Sequence, residues 1–133
     1  MNPLQVAEAF VAAINAGDAD QLADLMTQDH TFIDADGSEH AGRDQMHTGW
    51  REHFEMVPDL KIEVLERFSA DDTVVLIGQA EGTIAQDNQL KPENHWSVPA
   101  AWRVVVHSEL VAVWQLFANQ HSMHEILDRI KEA

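Results

Sequence analysis

The stretch that decides the fold is Val98–Ala118, which reads "VPAAWRVVVHSELVAVWQLFA". Each half of this stretch shows the period of two that is typical of a β-strand with one buried face. The period-two positions are Ala101, Arg103 and Val105 in the first half and Trp114, Leu116 and Ala118 in the second. Ser108 and Glu109 separate the halves and mark a turn. The pattern predicts a hairpin of two long strands.

A second hairpin is predicted upstream of the first. Period-two patterns cover Leu60–Val64 and Val74–Ala80, and Asp71–Asp72 forms the turn between them. Gly78 and Gly82 interrupt the second pattern and predict bulges or bends, which curl a sheet. Four hairpin-connected strands of this kind indicate a curled antiparallel sheet.

Helical spacing marks the beginning and the end of the chain. Residues 3–28 are predicted to form two short helices, and a third runs from Arg43 to Val57, where Pro58 follows. Residues 123–130 predict a C-terminal helix, and residues 31–33 a short strand. The fold class is therefore α+β, a cone-shaped and strongly bent antiparallel sheet packed against three N-terminal helices.

Composition limits the classes of partner. The 133 residues are enough for a single domain spanning 1–133, and 23 acidic against 8 basic residues give a net charge of -15. This charge disfavours nucleic acid and anionic membranes as partners. There is no cysteine, no leader-like N-terminus and no apolar run of ~20 residues, so we expect a cytoplasmic protein.

Three stretches carry a resemblance to a known group of proteins. They are Val6–Asp34, "VAEAFVAAINAGDADQLADLMTQDHTFID", then Gly49–Val64, "GWREHFEMVPDLKIEV", and Val98–Leu127. Together they resemble the SnoaL-like and ketosteroid isomerase-like domains of the nuclear transport factor 2-like superfamily. The resemblance implies a cystatin-like α+β barrel around a small-molecule pocket, often dimeric through the outer face of the sheet.

The resemblance also implies roles for particular positions. Asp34 matches the general base of the isomerases, whereas Phe10 stands where they carry a Tyr donor and Ala101 where they carry a protonated Asp. Asn119 stands where SnoaL-like relatives commonly have an Asp. Because two of three isomerase groups are missing, steroid isomerisation is not expected.

Two residues are the candidate catalytic groups. A partly desolvated Asp34 would act as general base, and the alternative is a solvated turn residue. Arg103 would face the cavity if Ala101 does, and there it would neutralise an anion; the alternative is a surface Arg at a sheet edge. The candidate ligand-binding residues, for which plain core packing is the alternative, are Phe10, Trp50, Phe54, Ala101, Trp114, Leu116, Ala118 and Asn119.

Three functions remain open. The first is a cofactor-independent isomerase, dehydratase or cyclase that acts by proton transfer on a small apolar, oxygenated molecule. The second is a non-catalytic binder of a hydrophobic ligand, and the third is a dimeric interaction module whose interior is packed shut. We expect no metal site, since His121 and His124 lack a His-Glu-x-x-His context. The homodimer predicted through the outer sheet face would use Val75, Ile77, Val104, Val106 and Val113.

Overall fold

The computed structural model describes residues 1–132, which form an α+β fold. The helices are α1 (Pro3–Ala16), α2 (Ala19–Asp24), α3 (Arg43–Met56) and α4 (His121–Glu132), with a 3-10 turn at Pro92–Asn94. The strands are β1 (Met26–Ile33), β2 (Glu39–Ala41), β3 (Lys61–Ala70), β4 (Thr73–Thr83), β5 (His95–His107) and β6 (Leu110–Ala118). Both predicted hairpins are confirmed, and their turn residues Asp71, Ser108 and Glu109 have positive φ.

The sheet is mixed, which corrects the prediction of a wholly antiparallel one. Its strand order is β2-β1-β6-β5-β4-β3, and β1 lies parallel to β6 while every other pair is antiparallel. β1 and β6 are each already joined to another strand by a short turn, so no turn between them dictates an antiparallel pairing. β2 and β3 are the two edge strands and do not pair with each other, so the sheet does not close into a barrel.

The boundary between α2 and β1 also differs from the prediction, which extended the second helix to residue 28. The helix ends at Asp24, and Leu25, with φ -93° and ψ 0°, lies outside it. Met26 then starts β1 with a fully buried side chain. Leu22, Leu25 and Met26 are all buried, so their spacing fits a continuing helix equally well.

The inner face of β5 is the opposite of the predicted one. Ala101 is half-buried and Arg103 is exposed, and both lie on the outer face. The buried side chains on the inner face are Trp96, Ala100, Trp102, Val104 and Val106. Strand side chains alternate strictly, so an error of one residue moves the whole set to the other face. Both faces of β5 carry valines and alanines, and the pattern alone was therefore ambiguous.

The outer face of the sheet carries rows of apolar side chains across neighbouring strands. Phe68 pairs with Val75 in one row, and Ile77, Ala101 and Phe117 form the next. Phe68 is 56% exposed and Phe117 51% exposed. Val104 and Val106, which were predicted on this face, are buried on the inner one.

One end of the interior is packed by α1. The Phe10 ring lies 4.7 Å from the Trp114 ring and 6.0 Å from the ring of the fully buried His30. The His30 Nδ1 atom is 2.7 Å from the carbonyl oxygen of Val111, and its Nε2 atom has no partner in the described part of the chain. We call this cluster of Phe10, His30 and Trp114 the packed end.

A bulge in β3 bends the other end of the sheet. The register shifts between Val64 and Glu66, next to Gly78 on β4. A Cβ atom at Gly78 would lie 1.8 Å from the carbonyl oxygen of Glu63, so only glycine permits this close approach. The bend predicted at Gly78 is confirmed.

Candidate functional site

A cavity of about 690 Å³ opens between α3, the start of α4 and the inner face of the sheet. Its walls are mainly apolar, and four aromatic side chains contribute to them: Phe32, Trp50, Trp96 and Trp102. The volume lies in the range of about 300–1,000 Å³ that is typical of small-molecule sites. The third sequence-based alternative required an interior that is packed shut, and this cavity contradicts it. We call this region the open end.

Asp34 lies on the wall of this cavity. It follows the last residue of β1, and the turn that holds it is closed by a hydrogen bond from its N–H to the Ser38 carbonyl (2.9 Å). Its Oδ1 atom accepts hydrogen bonds from the Ala35 N–H (2.7 Å) and the Gln120 side-chain amide (3.3 Å). Its Oδ2 atom accepts none within the described residues. One carboxylate oxygen is thus held in place, and the other is available to a ligand.

His53 faces the same cavity from α3. Burial lowers the pKa of this imidazole below its ordinary value of 6.5, and the negative charge of Asp34 opposes part of that shift. The ring packs edge-on against Trp50 at 5.9 Å. The lowered pKa favours a neutral imidazole at pH 7, which carries one N–H donor and one acceptor nitrogen.

Two tryptophan N–H groups on the cavity wall lack an acceptor. Trp50 and Trp96 are more than nine-tenths buried, and neither Nε1 atom has a hydrogen-bond partner among residues 1–132. A buried indole N–H usually finds a partner. Both Nε1 atoms have almost no solvent-exposed surface, so the cavity in its present shape does not offer these N–H groups to a bound molecule.

The structure brings together only some of the predicted ligand-binding residues. Trp50 and Leu116 line the cavity, and Ala118 and Asn119 line a small adjoining space of about 40 Å³. Phe54 packs on Trp50 at 5.5 Å without lining the cavity. Phe10 and Trp114 belong to the packed end, where they fill the core.

Arg103 and Ala101 do not reach the cavity. Arg103 donates a hydrogen bond to Gln115 Oε1 (3.0 Å) on the exposed outer face. The prediction that Arg103 neutralises an anion inside the cone is therefore wrong. The two faces of β5 are the reverse of those expected, so Arg103 lies on the outer face.

Several residues of the site escaped the sequence analysis. His53 lies three residues after Trp50, so helical spacing places both on one face of α3. Trp96 and Trp102 share the inner face of β5, and Gln120 follows β6. The aromatic spacing was a usable signal for His53, whereas Gln120 reaches Asp34 only through the folded arrangement of chain segments 86 residues apart.

Residues 1–132 hold no group of three or more His, Cys, Asp or Glu side chains arranged to bind a metal ion. In the same residues, no helix is long and apolar enough to span a membrane.

Comparison with known proteins adds a family and a set of structural neighbours. The model of the SnoaL-like domain family matches residues 7–118. No curated protein matches the chain in sequence.

Three solved structures illustrate the likeness in fold. A candidate SnoaL-like polyketide cyclase from Shewanella denitrificans has a TM-score of 0.80 and 16% identity, over 96% of this chain and 97% of that chain. An LEH-like epoxide hydrolase from M. tuberculosis has a TM-score of 0.78 and 15% identity, over 98% and 92%. A cystatin fold protein from Novosphingobium aromaticivorans has a TM-score of 0.71 and 19% identity, over 88% and 98%.

Proposed function

This chain belongs to the SnoaL-like domain family, and from that premise we propose that it is a cofactor-independent enzyme of the isomerase, dehydratase or cyclase type. Its substrate is a small, mainly apolar molecule that carries oxygen and binds in the open end. Asp34 is the general base. The observation that carries the proposal is the position of this carboxylate on the wall of an apolar cavity, where Oδ2 accepts no hydrogen bond from the described residues.

The hydrogen bonds of Asp34 suit a base. Two donors fix Oδ1, so that Oδ2 has a defined position toward a bound molecule. A base held within hydrogen-bond reach of the proton it removes contributes typically 10²–10⁴-fold to the rate. Gln120, which follows the last strand, acts here as a positioning residue for Asp34.

Charge that develops on a substrate oxygen requires donors, and Arg103 is not among them. The neutral imidazole of His53 is the candidate on the cavity wall. Donors in a site that excludes water stabilise a developing negative charge more strongly than they do in water. One structural neighbour is described as a candidate polyketide cyclase and another as an epoxide hydrolase. Descriptions of more than one kind of enzyme therefore occur among proteins with this fold.

The experiment follows exchange of carbon-bound hydrogen for deuterium, which reports a general base without knowledge of the natural substrate. Cyclohex-2-enone and related cyclic enones are incubated in D2O with the protein, and exchange is followed by proton NMR. We expect the Asp34→Asn variant to lose about 100-fold or more of the protein-catalysed rate.

Asp36→Asn is the matched control, because Asp36 lies in the same turn, is exposed and does not line the cavity. It should exchange at the wild-type rate. An unchanged rate in Asp34→Asn contradicts the role of Asp34 as base. Enones that bind without any exchange favour the alternative function, a non-catalytic binder of hydrophobic ligands.

We also propose that the protein is a homodimer through the outer face of the sheet. The support is the apolar surface formed by Phe68, Val75, Ile77, Ala101 and Phe117. Large contiguous apolar patches on a protein surface commonly mark an interface. Val75 and Ile77 are kept from the sequence-based version of this proposal. Val104 and Val106 are buried on the inner face and Val113 is half-buried, and Phe68, Ala101 and Phe117 take their place.

A further inference from the structure

The charged side chains on the cavity wall are all acidic. Asp34 and Glu52 contribute carboxylates, and no Lys or Arg among the described residues lines the cavity. His40 and His53 are the other titratable groups there, and burial holds the pKa of His53 below its ordinary value. A molecule entering this space meets negative charge without a compensating cation.

Several basic residues are engaged away from the cavity. Arg67 lies 3.6 Å from Glu8, Arg103 donates to Gln115, and Arg129 donates to the Glu93 carbonyl oxygen at 2.6 Å. Lys61 donates to the Asn15 carbonyl oxygen. The negative charge of the cavity therefore results from where the folded chain places its basic residues, as well as from the excess of acidic residues in the sequence.

The walls offer the surface that organic cations prefer. Three indole rings, those of Trp50, Trp96 and Trp102, and the ring of Phe32 line one cavity. The face of an aromatic ring carries partial negative charge and attracts an ammonium group within about 6 Å, with Trp the strongest of the three aromatic types. Aromatic walls and carboxylates together favour a positively charged nitrogen over a neutral carbon of the same size.

We infer that the natural ligand of this cavity carries an amine, with its cationic nitrogen held between the tryptophan faces and the Glu52 carboxylate. Glu52 is exposed and so lies where the cavity meets solvent, which leaves Asp34 free for proton transfer. The two carboxylates disfavour carboxylate and phosphate ligands. This inference deepens the proposed function and rests on the same cavity.

The test compares three molecules of nearly identical shape. Choline is a cation, 3,3-dimethylbutan-1-ol is its neutral isostere, and 3,3-dimethylbutanoate is the related anion. Each is titrated into the full chain while tryptophan fluorescence is recorded, at about 0.15 M salt, where charges further apart than about 8 Å are largely screened. We expect choline to bind about tenfold more tightly than the neutral alcohol, and the anion not to bind.

Two glutamates on α3 provide matched variants. Glu52→Gln removes a charge from the cavity wall, whereas Glu55→Gln removes one from an exposed position that does not line it. We expect Glu52→Gln to weaken choline binding several-fold and to leave binding of the alcohol unchanged, and Glu55→Gln to change neither.

Equal affinity for choline and the alcohol, binding of the anion, or binding of none of the three overturns the inference. An equal effect of the two glutamate variants also overturns it, because it would reflect net charge alone. Failure of the proposed function has a different signature, which is unchanged deuterium exchange in Asp34→Asn whatever the charge preference of the cavity.

Discussion

The two ends of this molecule use the same kinds of side chain in opposite ways. At the packed end, the rings of Phe10, His30 and Trp114 lie against one another and are almost completely buried. At the open end, Trp50 and Trp96 border about 690 Å³ of space, and their N–H groups have no partners among the residues that the structure describes. The first arrangement stabilises the fold, and the second is suited to a ligand. The number of aromatic residues therefore does not distinguish a core from a binding site. The two are distinguished by what surrounds each ring.

The largest expected effect comes from breaking the packed end. Phe10→Ala removes a fully buried ring and should lower the free energy of unfolding by about 3–5 kcal/mol, because transfer and cavity terms add. Phe32→Ala removes a half-buried ring at the open end and should cost less than half as much. Urea denaturation of both variants measures the difference, and equal losses would contradict the distinction between the ends.

A smaller effect is expected from the surface behind the open end. Phe117 neighbours the cavity residue Leu116 but points outward, so the Phe117→Ser variant should raise the dissociation constant of the proposed dimer about tenfold or more. Leu90→Ser, at an exposed apolar residue outside the sheet, is the control and should have no effect. Sedimentation velocity gives both values. A wild-type protein that sediments as a 15-kDa monomer at micromolar concentration rules out the dimer.

The smallest expected effect is a pH dependence that arises at the packed end. Burial lowers the pKa of His30 below 6.5, and this exceeds the opposing effects of its hydrogen bond to Val111 and of the charge on Asp29. The unfolded chain therefore binds a proton at His30 more readily, and folding stability falls as the pH drops below about 6.5. At higher pH both states are neutral at this site, and it contributes no pH dependence.

Urea denaturation between pH 7.5 and 5.5 measures this dependence. The His30→Gln variant should show a shallower decline than the wild type. His107→Gln, at an exposed histidine, should keep the wild-type slope. An unchanged slope in His30→Gln would show that protonation of other groups governs the acid response.

Much of the fold was predictable because turns and helix ends are encoded locally. Asp71–Asp72 and Ser108–Glu109 occupy the hairpin turns, and the helix that starts at Arg43 ends at Met56, shortly before Pro58. The parallel pairing of β1 with β6 was not predictable, since it joins strands that are distant in sequence. The inner face of β5 was missed for a different reason, because alanine and valine stand on both of its faces between residues 100 and 106.

The candidate site was predictable only in part. Resemblance indicated Asp34, and helical spacing indicated Trp50. Arg103 was expected on the inner face of β5 and lies on the outer face, because adjacent residues of a strand point to opposite faces. Gln120 and Trp96 join the site through packing between distant segments, which no local pattern in the sequence describes.

The difference between the two ends can be read directly from the four tryptophan side chains. Trp50, Trp96 and Trp102 line the cavity, whereas Trp114 belongs to the packed end. A proton–nitrogen NMR spectrum resolves one indole N–H signal for each, and Trp→Phe variants assign them. On titration with choline and with cyclohex-2-enone, our account predicts shifts in the Trp50 and Trp96 signals and an unmoved Trp114 signal. Equal shifts at Trp114, or none at Trp50 and Trp96, would contradict the claim that the open end is the ligand site.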